Sequence, residues 1–237
     1  MVAVHLHGGS INKTTSLGQT DMSLRSSLIV LLLTGMIAAP GIAAVSGPAK
    51  PESGILIEDP KPEYAPIVER QLAFHNFAYR TVGGNPFDLR DYAKDKRLLI
   101  IEYFAGWCAN SNRNGHIVER LWTQYRERGL GVVGVAEYSD TEELRIHINR
   151  IGISYPLVIE TSKQDQRKRS FHYKYRRAVG DKRKWGTPFY VIIDTRDIEA
   201  ASQDAPIARR VYTVSGEIIE AEADEFIRQR IAGSKNQ

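Results

Sequence analysis

Residues 98–111 read LLIIEYFAGWCANS, and they join an apolar run to the single cysteine of a 237-residue chain. The run Leu98–Ile101 continues through Tyr103 and Phe104, and a continuous apolar stretch of this length indicates a central strand covered on both faces. After Cys108, apolar residues recur at helical spacing, which predicts a helix that begins close to the cysteine. The stretch therefore predicts a strand that turns directly into a helix, with a thiol at the junction.

Strands and helices alternate on both sides of this junction. Continuous apolar runs predict the strands, and apolar residues at helical spacing with Asp or Gly at the boundaries predict the helices. The predicted strands cover 98–104, 130–136, 156–160, 189–194 and 209–214; two helices end at Gly129 and Gly152, and a last one spans about 218–231 with Ile219, Ala223, Phe226 and Ile227 facing inward. The order β-α-β-α-β followed by β-β-α predicts an α/β fold whose sheet has parallel members and helices on both faces.

Cys108 is predicted to lie where a thiol becomes reactive. At the N-terminus of a helix, unpaired backbone N–H groups and the positive end of the helix dipole stabilise a thiolate. The alternative is that Cys108 is an inert, small core residue, as free cysteines often are. Because the chain offers no second sulfur from cysteine, any disulfide must be intermolecular.

Three separated segments give the chain a family resemblance: LLIIEYFAGWCANS at 98–111, LGVVGVAEYS at 130–139 and WGTPFYVIID at 185–194. In this order and spacing they resemble the thioredoxin superfamily, in particular the exported TlpA- and ResA-type thiol–disulfide oxidoreductases, over roughly residues 70 to 232. The resemblance implies a thioredoxin-like fold with a mixed central sheet and helices on both faces. It also implies that Cys108 is the nucleophile and that Trp107 contacts substrate beside it.

The resemblance assigns roles to further positions. Glu102, six residues before the cysteine, matches a buried acidic residue that relays a proton, whereas the alternative is a strand-end glutamate that reaches solvent. A buried carboxyl has a raised pKa and exchanges a proton near neutrality. Gly186, Thr187 and Pro188 match the loop that docks substrate opposite the cysteine, with a cis peptide bond before the proline rather than an ordinary trans turn.

Ser111 stands where these oxidoreductases carry a second, resolving cysteine. A hydroxyl cannot form a disulfide, although it could hydrogen-bond to the Cys108 thiolate. The sequence therefore predicts monothiol exchange with protein thiols and disulfides or with small thiols, in an isomerase-like or mixed-disulfide cycle that uses Cys108, Glu102 and Ser111. The alternatives are a non-catalytic module that docks a partner at the cis-proline groove, a disulfide-linked dimer through Cys108 and, less favoured because Ala105 replaces the threonine of peroxiredoxins, a thiol peroxidase.

The N-terminal segment differs in composition from the domain that follows. Residues 1–21 form a polar, non-structured leader with Met22 as a second candidate start, and residues 22–46 match a signal peptide or an N-terminal membrane anchor. A proline-rich linker is expected over 47–67, the thioredoxin-like domain over 68–233 and a short tail over 234–237. We therefore expect an exported, periplasmic protein, or one anchored in the membrane and facing the periplasm; the membrane is a partner only in the second case.

Residues 163–184 (KQDQRKRSFHYKYRRAVGDKRK) concentrate positive charge, since ten Lys or Arg and two Asp give a net +8 whereas the whole chain carries +4. One interpretation is a solvated helix with a few apolar anchors; another is a positive rim of the active site that attracts acidic partners or anionic thiols. No nucleic-acid motif accompanies the charge, so nucleic acid is not an expected partner. The scattered histidines and the single cysteine predict no metal site, and no cofactor is implied.

Overall fold

The computed structural model describes residues 60–199 and 205–232. The predicted leader, the predicted signal peptide or anchor, most of the predicted linker and the predicted tail lie outside the described residues. Within these ranges no helix is long and apolar enough to cross a lipid bilayer. The strands are β1 (Tyr64–Ala65), β2 (Val68–His75), β3 (Ala78–Thr81), β4 (Pro86–Asp88), β5 (Leu98–Phe104), β6 (Leu130–Ala136), β7 (Leu157–Ile159), β8 (Phe189–Asp194), β9 (Pro206–Val214) and β10 (Glu217–Ile218). The α-helices are α1 (Leu89–Ala93), α2 (Ala109–Tyr125), α3 (Thr141–Ile151), α4 (Phe171–Ala178) and α5 (Glu220–Ala232).

One mixed sheet contains eight of the described strands, in the order β2-β9-β8-β5-β6-β7-β3-β4. Near its centre, β5 runs parallel to β6 and antiparallel to β8, so that Leu98 lies opposite Leu130 on one side and Asp194 on the other. The parallel part continues from β6 to β7, and β8, β9 and β2 pair antiparallel towards one edge. This mixed sheet, with helices in the connections between its parallel strands, is the predicted α/β arrangement.

Side chains of β5 alternate between the two faces of the sheet and contribute to two apolar cores. The even-numbered Ile100 and Phe104 pack with residues of α2, α3 and α5, whereas the odd-numbered Ile101 and Tyr103 pack with residues of α1 and α4. Burying an apolar side chain of this size stabilises the fold by about 1.5–3 kcal/mol. Helices therefore cover both faces, and the predicted fold class is confirmed.

Capping residues set the boundaries of α3 as predicted, but the start of α5 differs from the prediction. Asp140 and Glu143 each accept a hydrogen bond from the other's backbone amide, and Gly152, at φ 76°, ends the helix. The prediction that Ile219 faces inward is wrong, because this residue precedes the first helical residue, Glu220, and is 41% exposed. A residue outside the helix does not follow its 3.6-residue period.

Two further boundaries lie a few residues from their predicted positions. A 3-10 turn over Arg126–Arg128 separates the end of α2 from Gly129, which adopts a φ of 99°. Tyr64–Ala65, inside the segment predicted as linker, pair with Glu217–Ile218, a few residues before the predicted domain start at Val68. This pairing brings the chain that leads into the domain next to α2, because β10 packs on α2.

Candidate active site

Cys108 caps the N-terminus of α2 at the end of the turn that follows β5. Its backbone is extended, with φ −78° and ψ 121°, and its carbonyl oxygen accepts a hydrogen bond from the amide of Asn112 at 2.9 Å. The side chain is half-buried, and its sulfur donates a hydrogen bond to the carbonyl oxygen of Thr187 at 3.3 Å. The thiol therefore lies at the helix end where backbone N–H groups and the helix dipole favour negative charge.

The loop opposite the sulfur contains the predicted cis peptide bond, between Thr187 and Pro188. Gly186, which precedes it, has a φ of +67°, a backbone conformation that residues with a Cβ rarely adopt. All three residues are buried, and the hydroxyl oxygen of Thr187 has no hydrogen-bond partner among the described residues. The structure thus brings Cys108 together with the three residues predicted to dock substrate.

A groove of about 320 Å³ runs between Cys108 and this loop. Trp107 and Trp185 both line it, and their rings meet edge to face with centroids 5.4 Å apart. The indole N–H of Trp107 donates to the carbonyl oxygen of Tyr138 at 3.0 Å, which fixes the ring beside the cysteine. The groove is lined by Pro60, Glu63, Trp107, Cys108, Ala109, Asn110, Arg183, Lys184, Trp185, Gly186 and Thr187.

Ser111 is fully buried behind Cys108, in the first turn of α2. Its hydroxyl oxygen accepts a hydrogen bond from the amide of Ala105 at 3.4 Å. The proposed hydrogen bond from Ser111 to the Cys108 sulfur is not made among the described residues, because the hydroxyl is turned back to the end of β5. Ser111 therefore supports the turn and is not a partner of the sulfur in this structure.

Glu102 is fully buried, which excludes the solvent-reaching alternative. Its carboxylate accepts hydrogen bonds from the hydroxyls of Tyr155 at 2.7 Å and Tyr190 at 3.1 Å, and the Tyr190 hydroxyl also lies 2.5 Å from Oδ1 of Asn114 in α2. Burial raises the pKa of the Glu102 carboxyl from 4.5 to about 7, although the two tyrosine hydrogen bonds act in the opposite direction. No hydrogen bond among the described residues joins this carboxyl to Cys108, so the structure does not bring the two predicted residues into direct contact.

Sequence reasoning missed the group that holds the cis-proline loop. Nη2 of Arg183 donates to the carbonyl oxygens of Gly186 at 3.3 Å and Pro188 at 3.1 Å, and it pairs with Asp181 at 2.8 Å. Arg176 is fully buried against Gly186, and its Nη1 lies 3.3 Å from Oδ2 of Asp181. All three charged residues belong to the basic segment, so this part of it is built into the site. In the sequence, the feature that could have indicated these pairs is Asp181, one of two acidic residues among ten cations and five residues before Gly186.

A buried histidine supports the same loop from the other side. His172, in α4, lies with Nδ1 2.9 Å from the Tyr138 hydroxyl and Nε2 3.2 Å from the carbonyl oxygen of Gly186. A carbonyl can only accept, so Nε2 carries the proton and Nδ1 accepts from the tyrosine. Burial lowers the pKa of His172 well below its ordinary value, which keeps the ring neutral and this pairing intact.

Among residues 60–199 and 205–232, no three His, Cys, Asp or Glu side chains are grouped so that they could hold a metal ion. The polar groups that line the groove with Cys108 include the side chains of Glu63, Asn110, Arg183 and Lys184 and the carbonyl oxygen of Thr187, which accepts from the sulfur. The arrangement can do chemistry at one sulfur atom: a thiolate can attack from the groove, and the cis-proline loop offers backbone groups beside it.

Known proteins resemble the chain at low sequence identity. No protein-family model matches it. Among curated proteins, the thiol-disulfide oxidoreductase ResA of Halalkalibacterium halodurans is 22% identical over 85 residues, which are 36% of this chain and 47% of that protein. The match thus spans about half the length of that relative.

Solved structures are similar over a larger part of the chain. A thioredoxin-family thiol:disulfide interchange protein of Chlorobium tepidum has a TM-score of 0.49 at 18% identity, over 68% of this chain and 97% of that one. A secreted disulfide oxidoreductase of Mycobacterium tuberculosis has a TM-score of 0.44 at 14% identity, over 66% and 95%. The strand order and the cis-proline loop opposite Cys108 are those of a thioredoxin-like fold, and the chain resembles the TlpA- and ResA-type members of the thioredoxin superfamily.

Proposed function

We propose that the chain is an exported thiol–disulfide oxidoreductase of monothiol type, in which Cys108 exchanges disulfides with protein or small-molecule thiols. One observation carries the proposal: the half-exposed sulfur of Cys108 lies at the N-terminus of α2, in the groove, 3.3 Å from the carbonyl oxygen of Thr187. A position at a helix N-terminus beside an accessible groove is typical of reactive cysteines.

The cycle we propose uses one sulfur and two exchanges. The Cys108 thiolate attacks one sulfur of a partner disulfide, a new S–S bond forms to Cys108, and the second partner sulfur leaves as a thiolate. Because Ser111 has no sulfur, the mixed disulfide waits for an external thiolate, which attacks the partner sulfur, forms a new disulfide with it and releases the Cys108 thiolate. When that second thiolate comes from the same partner, the net result is isomerisation, and no oxidant or reductant is consumed.

Thr187 and Pro188 supply the docking surface in this proposal. In the resting thiol, the S–H of Cys108 occupies the carbonyl oxygen of Thr187. A thiolate has no proton to donate, so ionisation frees this carbonyl to accept an N–H from an extended substrate, as in strand-addition recognition. Ionisation of the Cys108 thiol and docking of an extended substrate are then coupled through the carbonyl oxygen of Thr187.

Glu102 holds and releases a proton in the proposed cycle, because a carboxyl with a pKa of about 7 is half-ionised near neutrality. Its hydrogen-bonding partner Tyr190 also lies against the amide oxygen of Asn114 in α2. Glu102 therefore acts as a buried proton store beneath the helix rather than as a direct partner of the sulfur.

Export is the second part of the proposal. It rests on the signal-like residues 22–46 and on the chemistry, since disulfides form and persist in oxidising compartments outside the cytosol. A fusion of residues 1–67 to a reporter that folds only in the periplasm tests it directly. Reporter activity is expected. A fusion protein that is made in full but shows no reporter activity would contradict export.

Mass spectrometry tests the catalytic part. The reduced full chain is mixed with glutathione disulfide, and one adduct per chain at Cys108 is expected, stable until an external thiol is added. Cys108→Ser should give no adduct. A wild-type chain that forms no adduct, although iodoacetamide alkylates Cys108, would contradict the proposal and favour the non-catalytic docking module; a covalent dimer on non-reducing gels would favour the disulfide-linked dimer.

A further inference from the structure

The basic segment divides into a part that supports the cis-proline loop and an exposed part. The supporting part consists of the buried Arg176 and Asp181 and the half-buried Arg183. The exposed part, named the cationic rim here, consists of Lys163, Arg167, Lys168, Arg169, Lys174, Arg177, Lys182 and Lys184. All of these are exposed except Arg167, which is half-buried.

No member of the cationic rim forms a salt bridge with any described residue. By contrast, nine arginines elsewhere in the described part of the chain do: Arg113, Arg120, Arg126, Arg145, Arg196, Arg209, Arg210, Arg228 and Arg230. The segment's own acids do not compensate the rim, since Asp181 is buried between arginines and Asp165 is a single charge. Like charges held together without partners repel one another, so an anion that binds the rim relieves this repulsion.

The cationic rim reaches the Cys108 groove at Arg167 and Lys184. Lys184 lines the groove, and its Nζ lies 5.2 Å from the ring centre of Trp185, another lining residue. The guanidinium of Arg167 lies 4.9 Å from the same ring and donates to the carbonyl oxygen of Lys184. A partner whose sulfur reaches Cys108 therefore also approaches the rim.

We propose that the cationic rim docks an acidic polypeptide segment that flanks the reactive cysteine or disulfide of the partner, an inference that rests on the proposed exchange at Cys108. Charge complementarity selects the occupant: eight cations extend well beyond what a single small anion neutralises. An anionic bilayer fits less well, because interfacial binding needs an apolar face and Phe171 is the one exposed large apolar side chain in the described part of this segment.

Binding and exchange are measured separately, on the full chain, with two peptides that differ only in charge. Each peptide has a central cysteine flanked on both sides by Asp and Glu or by Asn and Gln. For binding, the cysteine is replaced by serine and the peptide carries a fluorophore read by anisotropy. For exchange, the cysteine carries a 2-thiopyridyl disulfide; Cys108 attacks the peptide sulfur, and the released thiopyridone is followed by absorbance.

At low salt, we expect the acidic peptide to bind and to exchange about 10-fold better than the neutral one, and the ratio to fall towards one at about 1 M salt, where the screening length is about 3 Å. Lys168→Glu with Arg169→Glu should remove most of the preference. The matched control is Arg128→Glu with Arg150→Glu, two exposed cations without salt bridges to described residues, and it should retain the preference.

Three results would overturn the proposal. The first is equal binding of the two peptides at low salt, and the second is a control pair that loses the preference for the acidic peptide as fully as Lys168→Glu with Arg169→Glu. The third is tighter binding to phosphatidylglycerol vesicles or an RNA oligonucleotide than to the acidic peptide. Binding that prefers the acidic peptide without any exchange would instead support the rim and contradict exchange at Cys108. The two proposals therefore fail separately.

Discussion

Replacing Ser111 by cysteine tests whether the missing second sulfur is what makes this a monothiol site. Ser111 is fully buried three residues after Cys108, in the first turn of α2. In the wild-type chain, a mixed disulfide at Cys108 waits for an external thiol. In Ser111→Cys, the introduced thiol attacks the Cys108 sulfur, releases the partner and leaves an internal disulfide.

The size of the effect follows from the spacing of the two side chains. Residues three apart inside a helix have Cβ atoms about 5–6 Å apart, and Cys108 is the extended N-cap residue just before that regular spacing begins. A disulfide prefers about 3.5–4.5 Å between Cβ atoms, so some approach of the two side chains is required. Well-oriented groups reach effective molarities of about 10⁵ M, and allowing about five orders of magnitude for imperfect geometry still leaves about 1 M. Compared with about 1 mM of external thiol, partner release should be about 10³-fold faster.

The assay follows release of a labelled peptide from the Cys108 mixed disulfide after the excess peptide is removed. Ser111→Ala is the matched control, since it also removes the hydroxyl that accepts from Ala105 but adds no sulfur. It should release the peptide as slowly as the wild-type chain. If Ser111→Cys also holds the peptide at the wild-type rate while remaining folded, the claim that one absent sulfur defines the chemistry is refuted.

Three further predictions concern the buried polar groups around the site. Glu102→Gln removes a carboxyl that keeps its proton in the folded state between pH 4.5 and about 7, whereas the unfolded state releases it. As the pH rises from 4.5 to about 7, the free energy of unfolding of the wild-type chain should therefore fall by about 3 kcal/mol relative to that of the variant. Urea unfolding at both pH values measures this change, and a constant difference would contradict the buried proton. Gly186→Ala places a Cβ in steric overlap with the guanidinium of Arg176 at positive φ, whereas Gly180→Ala, also at positive φ, meets nothing within 4 Å. Gly180→Ala should lower the free energy of unfolding by about 1–2 kcal/mol, and Gly186→Ala by about 1–3 kcal/mol more. Equal losses of stability in thermal unfolding would argue against the close contact. Arg113→Met leaves the fully buried carboxylate of Glu217 in β10 without its bidentate partner. The free energy of unfolding in urea should fall by about 3–5 kcal/mol, and a fall below about 1 kcal/mol would mean that the pair behaves as an exposed one.

The central strands and the start of α2 could be predicted from sequence because their signals are local. An apolar run followed by helical spacing fixes β5, the turn and α2 within a few residues, and Asp140 with Glu143 marks the start of α3. The burial of Glu102 could be anticipated from one charged residue inside an apolar strand, once the family resemblance had been noticed. Each of these inferences uses residues that are close together in the chain.

The edge of the sheet and the partners of Ser111 depend on contacts that no local pattern encodes. β2 pairs with β9, placing Val68 opposite Thr213, and the pairing contains register shifts. The direction of the Ser111 hydroxyl depends on which backbone group the turn leaves free, and here it is the amide of Ala105. Sequence pattern places these residues on an element but does not select their partners.

No sequence pattern indicated that Arg176 is buried, and its contact with the cis-proline loop explains why part of the basic segment lies inside the fold. A guanidinium with Nε and Nη2 lacking partners among the described residues lowers stability, because buried unpaired donors cost about 1–3 kcal/mol each. Its position is explained by the loop it contacts: Arg176 packs on Gly186, and Arg183 holds the carbonyls on both sides of Thr187. The same run of cations thus supports the groove through Arg176 and Arg183 and leaves the others exposed beside it, so loop geometry and surface charge at Cys108 are set by one segment of the chain.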